Sequence, residues 1–377
     1  MISSTSFSNK PAFLLAAFLI WISACASVNE PPKSDKKKSS TVVTNPNIAI
    51  LPVSNLSGTP APLKEIRQSF ITRLTTSGIR IVGEKDLETF MARHRLRYTG
   101  GIDQETSRAL KDEIGVDAVL IMSLELYSER VPPKIALTSR LVSTGIDPAI
   151  LWIDGVGLAG DESPGFLDLS LIKDPARLKE MAIEELTISL TGFLSGHPVW
   201  AETGAGGKKF RPETYYRSPV MDEPVKQTVA VVPFLNLSKR KFAGDIMPLH
   251  FVRLFWEFEN FRVIEPGIVR DMMLRERMIM DDGISMADAE VIFNRLDADL
   301  VLSGRIMNYE DYEGDAGQPV VDFFALMIDR RNRELVWSSH SYRKGDEGVY
   351  FFGMGKVKTA HRLAFNMAAS VADMITQ

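Results

Sequence analysis

Two apolar, β-rich runs stand out along the chain, residues 48–53 and 229–234, and each reads as a buried strand. After each run the apolar positions change to helical spacing: Leu63, Ile66, Phe70 and Leu74 in the first case, Leu249, Val252 and Trp256 in the second. A short strand then follows (residues 79–82 and 261–264), and after it a helix carrying Leu87, Phe90 and Met91, or Val269, Met272 and Met273. A further helix ends just before a long strand, 118–126 or 299–307. Two more strands make an antiparallel meander, 135–142 with 150–157 and 320–328 with 334–342. A closing helix is expected over 175–194 and 356–375.

The same order of elements therefore occurs twice, and the residues repeat with it. Ile50-Leu51-Pro52-Val53-Ser54-Asn55-Leu56-Ser57 answers Val231-Val232-Pro233-Phe234-Leu235-Asn236-Leu237-Ser238 at an offset of 181. Val116-Asp117-Ala118-Val119-Leu120 answers Ala298-Asp299-Leu300-Val301-Leu302 at 182, and Ile150-Leu151-Trp152 answers Leu335-Val336-Trp337 at 185. Ordered matches with so small a drift imply a tandem duplication. The expected copies are residues 47–195 and 228–377. Residues 196–227, with Gly204, Gly206, Gly207 and four prolines, have the composition of a linker, although Trp200, Tyr215 and Tyr216 suggest that parts of it dock. Helices mixed with a partly antiparallel sheet give an α/β fold, an α+β sandwich, in each copy.

The first 46 residues have a different character. Residues 12–22 are apolar but too short to span a hydrocarbon core of about 30 Å, so residues 1–24 read as an export signal. Ile22-Ser23-Ala24-Cys25 resembles the lipobox of bacterial lipoproteins, and Cys25 is the only cysteine of the chain. That resemblance implies a lipidated, palmitate-bearing Cys25 after cleavage. Three acyl chains, at about 0.8 kcal/mol per buried CH₂, make a stable anchor. Ala26 leans toward the outer membrane. Residues 25–46 then form a flexible tether, and its Lys33, Lys36, Lys37 and Lys38 read as a solvated run that could also touch peptidoglycan.

Composition narrows the function. The chain has 377 residues, a net charge of −4, 45% hydrophobic and 24% charged residues, which suits two globular domains and excludes wholesale disorder. An acidic balance argues against a nucleic-acid partner. A single cysteine excludes an internal disulfide and a thiolate zinc cluster.

The strand-Pro-x-x-Asn-x-Ser opening, the segment Ala298-Asp299-Leu300-Val301-Leu302-Ser303-Gly304-Arg305 and the closing Leu335-Val336-Trp337 resemble the fold shared by the curli-secretion lipoprotein CsgG, the amino-terminal domain of TolB and the penicillin-binding-protein activator LpoB. The resemblance implies an envelope protein that works by binding other proteins, without catalysis or a cofactor. No alternating apolar hairpin suited to a curli-type pore is visible, and a tandem arrangement differs from the single-domain activator.

Candidate chemistry is sparse. Asn55-x-Ser57 and Asn236-x-Ser238 read as turn and capping residues, and Asp117 and Asp299 as groups that orient a buried strand. Asp161-Glu162 and Asp346-Glu347 could act as paired carboxylates but read better as solvated strand ends. Gly353-Met354-Gly355-Lys356 and Gly204-Ala205-Gly206-Gly207-Lys208 lack a full phosphate-loop pattern. His94, His197, His250, His340 and His361 show no ligand spacing, so no metal site is expected. Trp152 and Trp337 read as core, and so do Met272, Met273, Met278, Met280 and Met286. If the run Val349-Tyr350-Phe351-Phe352 is exposed, it marks a contact surface. The expected partner-binding residues are thus Asp346, Glu347, Tyr350, Phe351 and Phe352. The reading is a lipid-anchored outer-membrane lipoprotein facing the periplasm, an accessory in cell-wall synthesis, appendage assembly or secretion. Three alternatives remain: a subunit of an oligomeric secretion assembly, a hydrolase using the Asp-Glu pairs, and a structural lipoprotein held to the cell wall.

Overall fold

The structure, a computed structural model, describes residues 46–162, 171–204, 206–222, 225–280, 283–312, 317–347 and 355–376, all within one compact unit, Lys36–Gln377. Cys25, the export segment, the lysine run, and Tyr350, Phe351 and Phe352 lie outside the described residues.

The fold is mixed α/β, built on two sheets. In the first half, β1 (Asn47–Ile50) is central and pairs in parallel with β3 (Arg80–Ile81) and β4 (Ala118–Ser128). β4 continues antiparallel through β5 (Lys134–Ser143) to β6 (Ile150–Ala159), and the two-residue β2 (Ser54–Asn55) adds to β4. β7 (Thr214–Arg217) follows in the chain and pairs with the last strand of the second sheet. In the second half, β8 (Gln227–Val231), β10 (Phe261–Val263), β11 (Leu300–Glu310), β12 (Val320–Asp329) and β13 (Glu334–Lys344) run in the order β10-β8-β11-β12-β13, with β9 (Leu235–Asn236) on β11. That is the strand order of the first sheet. Even the irregularity is shared: the β4/β5 ladder slips at Glu125 and the β11/β12 ladder slips at Met307, each the site of a bulge.

Local chemistry explains the helices. α1 (Leu63–Thr76) buries Ile66, Phe70 and Leu74, one face at a spacing of four. α2 (Glu84–Arg93) buries Leu87 and Phe90 in the same manner. α3 (Gln104–Ile114) starts at Asp103, whose carboxylate accepts from Thr106 N–H, and ends at Gly115 with φ 64°. α4 (Pro175–Leu194) starts with Pro175 behind an Asp174 cap. α5 (Ala243–Glu257), α6 (Pro266–Arg275), α7 (Met286–Leu296) and α8 (Ala360–Thr376) complete the set, α7 opening on a capping box between Ser285 and Asp288.

The layers follow from which apolar faces meet. α1 and α4 cover one face of the first sheet, where Phe70, Leu186 and Leu190 pack on Leu120, Leu137 and Trp152. α5 and α8 lie on the second sheet in the corresponding way, with Phe251, Phe255 and Val371 on Phe323, Met327 and Trp337. The same core also holds Val119, Ile121, Val142 and Ile153 from the other face of the first sheet. α5 and α8 are therefore sandwiched between the two sheets. α6 and α7 cover only part of the second sheet's outer face, with Val269, Ile292 and Phe293 on Ala230, Val232 and Val301.

The expected linker differs from a free connector. Its residues Thr214–Arg217 form the edge strand β7 on β13, and Phe210 and Glu202 are buried. The glycines that gave it a linker composition include Gly204, where a Cβ would come within 3.0 Å of Ala369, so close approach to α8 accounts for it rather than freedom of the chain.

Candidate functional sites

The polar residues seen in the sequence act mostly as braces. Asp117 accepts from Asn47 N–H and Asp299 from Thr228 N–H, each at 2.8 Å, which ties β4 to β1 and β11 to β8. Asn55 and Asn236 accept from the N–H of Ser57 and Ser238, in Asx turns. Trp152 and Trp337 are fully buried. Asp346 is half-buried, and Glu347 accepts from Lys344 N–H at 3.1 Å, closing the turn after β13. In the first half the corresponding pair is not merely solvated. Asp161 pairs with Lys358 at 2.6 Å and Glu162 pairs with Arg362, so both carboxylates are bound to the second half.

Two features draw attention, and the sequence signalled neither. The first is a buried charged cluster where the first sheet meets α5 and α8. His361 of α8 places Nδ1 2.6 Å from Glu125 of β4 and Nε2 3.2 Å from Glu202. Both partners only accept, so the ring carries both protons. Burial would push His361 down, but the two carboxylates outweigh it and raise its pKa; burial would likewise raise Glu125, and the charge of His361 lowers it. Thr138 donates to the other oxygen of Glu125 at 2.5 Å. Beside them, Arg253 of α5 pairs with Asp154 at 2.5 Å and donates to the backbone oxygen of Glu202. His250 stands edge-on to His361 at 4.8 Å, and burial and the His361 charge push its pKa down. Glu125, Asp154, His250, Arg253 and His361 are at most 2% exposed. Gly155 and Gly157 make room: a Cβ at Gly157 would come within 2.8 Å of His361. The histidines lie 111 positions apart in the chain, so no local spacing could reveal them.

The second feature is the outer face of the second sheet. Phe324 (41% exposed), Met307, Tyr216 and Leu237 form an open apolar surface with Arg305 and His340 beside them. Phe324 stacks on His340 at 4.2 Å, and His340 in turn meets Asp322 at 2.9 Å. Cross-strand register identifies this face with the buried one of the first sheet. Phe324 opposes His340 as Thr138 opposes Gly155, and Met307 occupies the bulge that Glu125 occupies. In the first sheet, α5 and α8 cover that face. In the second, among the described residues, these four apolar side chains are left 41–55% exposed. No helix among the described residues is long and apolar enough to cross a membrane.

No family model and no curated protein matches the chain. Solved structures similar to part of it include the PelC dodecamer from Paraburkholderia phytofirmans, 19% identical, with 43% of this chain and 95% of that one covered at a TM-score of 0.31. Lipoprotein GNA1162 from Neisseria meningitidis is 20% identical over 31% of this chain and 82% of its own, with a TM-score of 0.26. The LpoB C-terminal domain from Escherichia coli is 11% identical over 32% and 85%, with a TM-score of 0.24.

Proposed function

We propose that the chain is a lipid-anchored periplasmic accessory protein of an envelope machine and that it works by holding a partner protein on the outer face of its second sheet. The export segment and the lipobox at Cys25 support the anchor and the outer-membrane location. The repeated residues, the common strand order and the shared bulge support two copies of one domain, 47–195 and 228–377. The single observation that carries the binding role is the exposed apolar set Phe324, Met307, Tyr216 and Leu237 on a face whose counterpart in the first sheet is covered by α5 and α8. An apolar sheet face flanked by polar groups is what a partner surface requires. The covered counterpart suggests the partner's chemistry: an amphipathic helix, apolar side toward Phe324.

The test is photo-cross-linking from positions 324 and 216 of the lipidated protein in its own envelope, with position 72 on the outer side of α1 as control. Cross-links from 324 and 216, absent from 72, that fall along one apolar helix face of one envelope protein are expected. Cross-links only between copies of this chain would favour the oligomeric assembly instead. Scattered or absent cross-links at 324 and 216 would overturn the assignment of this face.

A further inference from the structure

We propose that Glu125, His250 and His361 form a buried binding site for a divalent transition metal, with zinc the ion best matched to their donors. Two imidazoles and a carboxylate are a common zinc donor set. One donor atom from each residue lies within 4.8 Å of the others. Zinc bonds of about 2.0–2.2 Å place tetrahedral ligand atoms roughly 3.4 Å apart, so the side chains need only small rotations to close on an ion.

Three observations favour an ion over a closed salt-bridge network. The first is His250 Nε2, which is fully buried and has no hydrogen-bond partner. Leaving such an atom bare is unfavourable, and a metal bond removes the cost. Tyr309, whose hydroxyl is also buried without a partner, feels the charge of Glu125, so a second bare polar group stands in the same region. The second observation is the support around the donors. Glu202 accepts from His361 Nε2 and Thr138 donates to Glu125, which orients two of the three ligands from outside, as metal sites require. The third is charge. With His361 neutral, the carboxylates of Glu125, Glu202 and Asp154 outnumber the guanidinium groups of Arg253 and Arg362 that pair with them, and a cation makes up the difference.

Binding exchanges one ion for one proton. The metal takes the lone pair on His361 Nδ1 and the proton from that atom leaves to solvent; Nε2–H stays on Glu202. The ion would bridge β4 of the first half to α5 and α8 of the second, so it would act as a structural clasp and not as a catalyst.

The experiment uses the full mature chain in detergent, unfolded in guanidinium with chelator and refolded with one equivalent of Co²⁺ or Zn²⁺. The expected result is one ion per chain, an intense visible Co²⁺ band typical of four-coordination, displacement by Zn²⁺, and release of one proton in calorimetry run in two buffers. His250→Gln should weaken Co²⁺ binding at least about tenfold while the far-ultraviolet circular dichroism stays native. X-ray absorption of the zinc form of the unaltered protein keeps the question open to refutation if that variant does not fold: it should show scattering from two imidazoles. Absence of stoichiometric uptake, unchanged affinity in His250→Gln, or a shell of oxygen atoms without imidazole would each overturn the site.

Discussion

Arg140 and Glu265, 125 positions apart in the chain, form a two-pronged ion pair with no exposure to solvent. Arg140 Nε and Nη2 donate to the two carboxylate oxygens at 2.9 and 2.7 Å, and Nη2 also donates to Gly100 O. Glu265 is the residue before α6, and its carboxylate also accepts from Gly267 N–H. One pair therefore joins β5 of the first half to the start of a helix in the second. Removing one partner leaves a buried charge, which typically costs 3–5 kcal/mol. Arg140→Met and Glu265→Gln should each destabilise the protein by that order in urea unfolding. The double variant should cost less than the two together, with a coupling of about 1–3 kcal/mol. Additive losses would show that the pair is not the unit of the contact.

The lack of a side chain at Gly157 is a requirement of His361. A Cβ there would come within 2.8 Å of His361 Cδ2 and 2.9 Å of Thr359 Oγ1, and neither neighbour is on the surface. Gly157→Ala should lower stability by about 1–3 kcal/mol through overpacking. The same change at Gly78, where no atom lies within 4 Å, meets no crowding and is opposed only by its φ of 80°. Equal losses for the two, measured by thermal unfolding, would argue against close packing of His361 on β6.

What the sequence revealed and what it hid have a common physical cause. Periodicity reports burial along one element, so the strands, α1 and α4 were legible from Ile48, Phe70 and Trp152 outward. The internal match of residues pointed to two similar sheets, and Asp117 and Asp299 were recognisable as braces because each precedes the strand it orients. Contacts between halves leave no such local trace. Glu125, Arg140 and Asp154 sit on strands rich in apolar residues, and their partners His361 and Arg253 on helices, and Glu265 just before one, are over 90 positions away. The one available signal was comparison of the two halves. Where the first half has Thr138 and Glu125, the second has Phe324 and Met307, so polar and apolar roles are exchanged on the same face. Glycine and proline give 196–227 the composition of a connector, while Tyr215 and Tyr216 point to the part that docks: Thr214–Arg217 pairs with β13 over its whole length.

The open face predicts a separation of folding from binding. Phe324 is 41% exposed and stacks on His340 at the surface, so its loss leaves no large cavity. Phe324→Asp should change stability by no more than about 0.5–1 kcal/mol, as for surface substitutions, while abolishing cross-linking from position 216. A variant that keeps full cross-linking would place the binding role on another surface.

Glu185 makes the stability of the protein depend on pH near neutrality. It lies half-buried on α4, and burial, reinforced by the charges of Glu162 and Glu202, pushes its carboxyl up to about 7 from an ordinary 4.5. The native state therefore holds an extra proton between pH 4.5 and 7 compared with the unfolded chain. The favourable contribution of the neutral acid is complete below pH 4.5 and is lost as the pH rises through about 7. Above that, an ionised Glu185 faces the charges of three other carboxylates, Glu162, Glu202 and Asp154, with Arg362 in opposition. Glu185→Gln keeps the neutral shape at every pH. It should stabilise the protein at pH 8 by about 1 kcal/mol, after allowance for solvent screening of a half-exposed group, and by nothing measurable at pH 4.5. Urea unfolding of both proteins at a series of pH values reads the difference directly, and a gap that stays constant from pH 4.5 to 8 would remove Glu185 as its source.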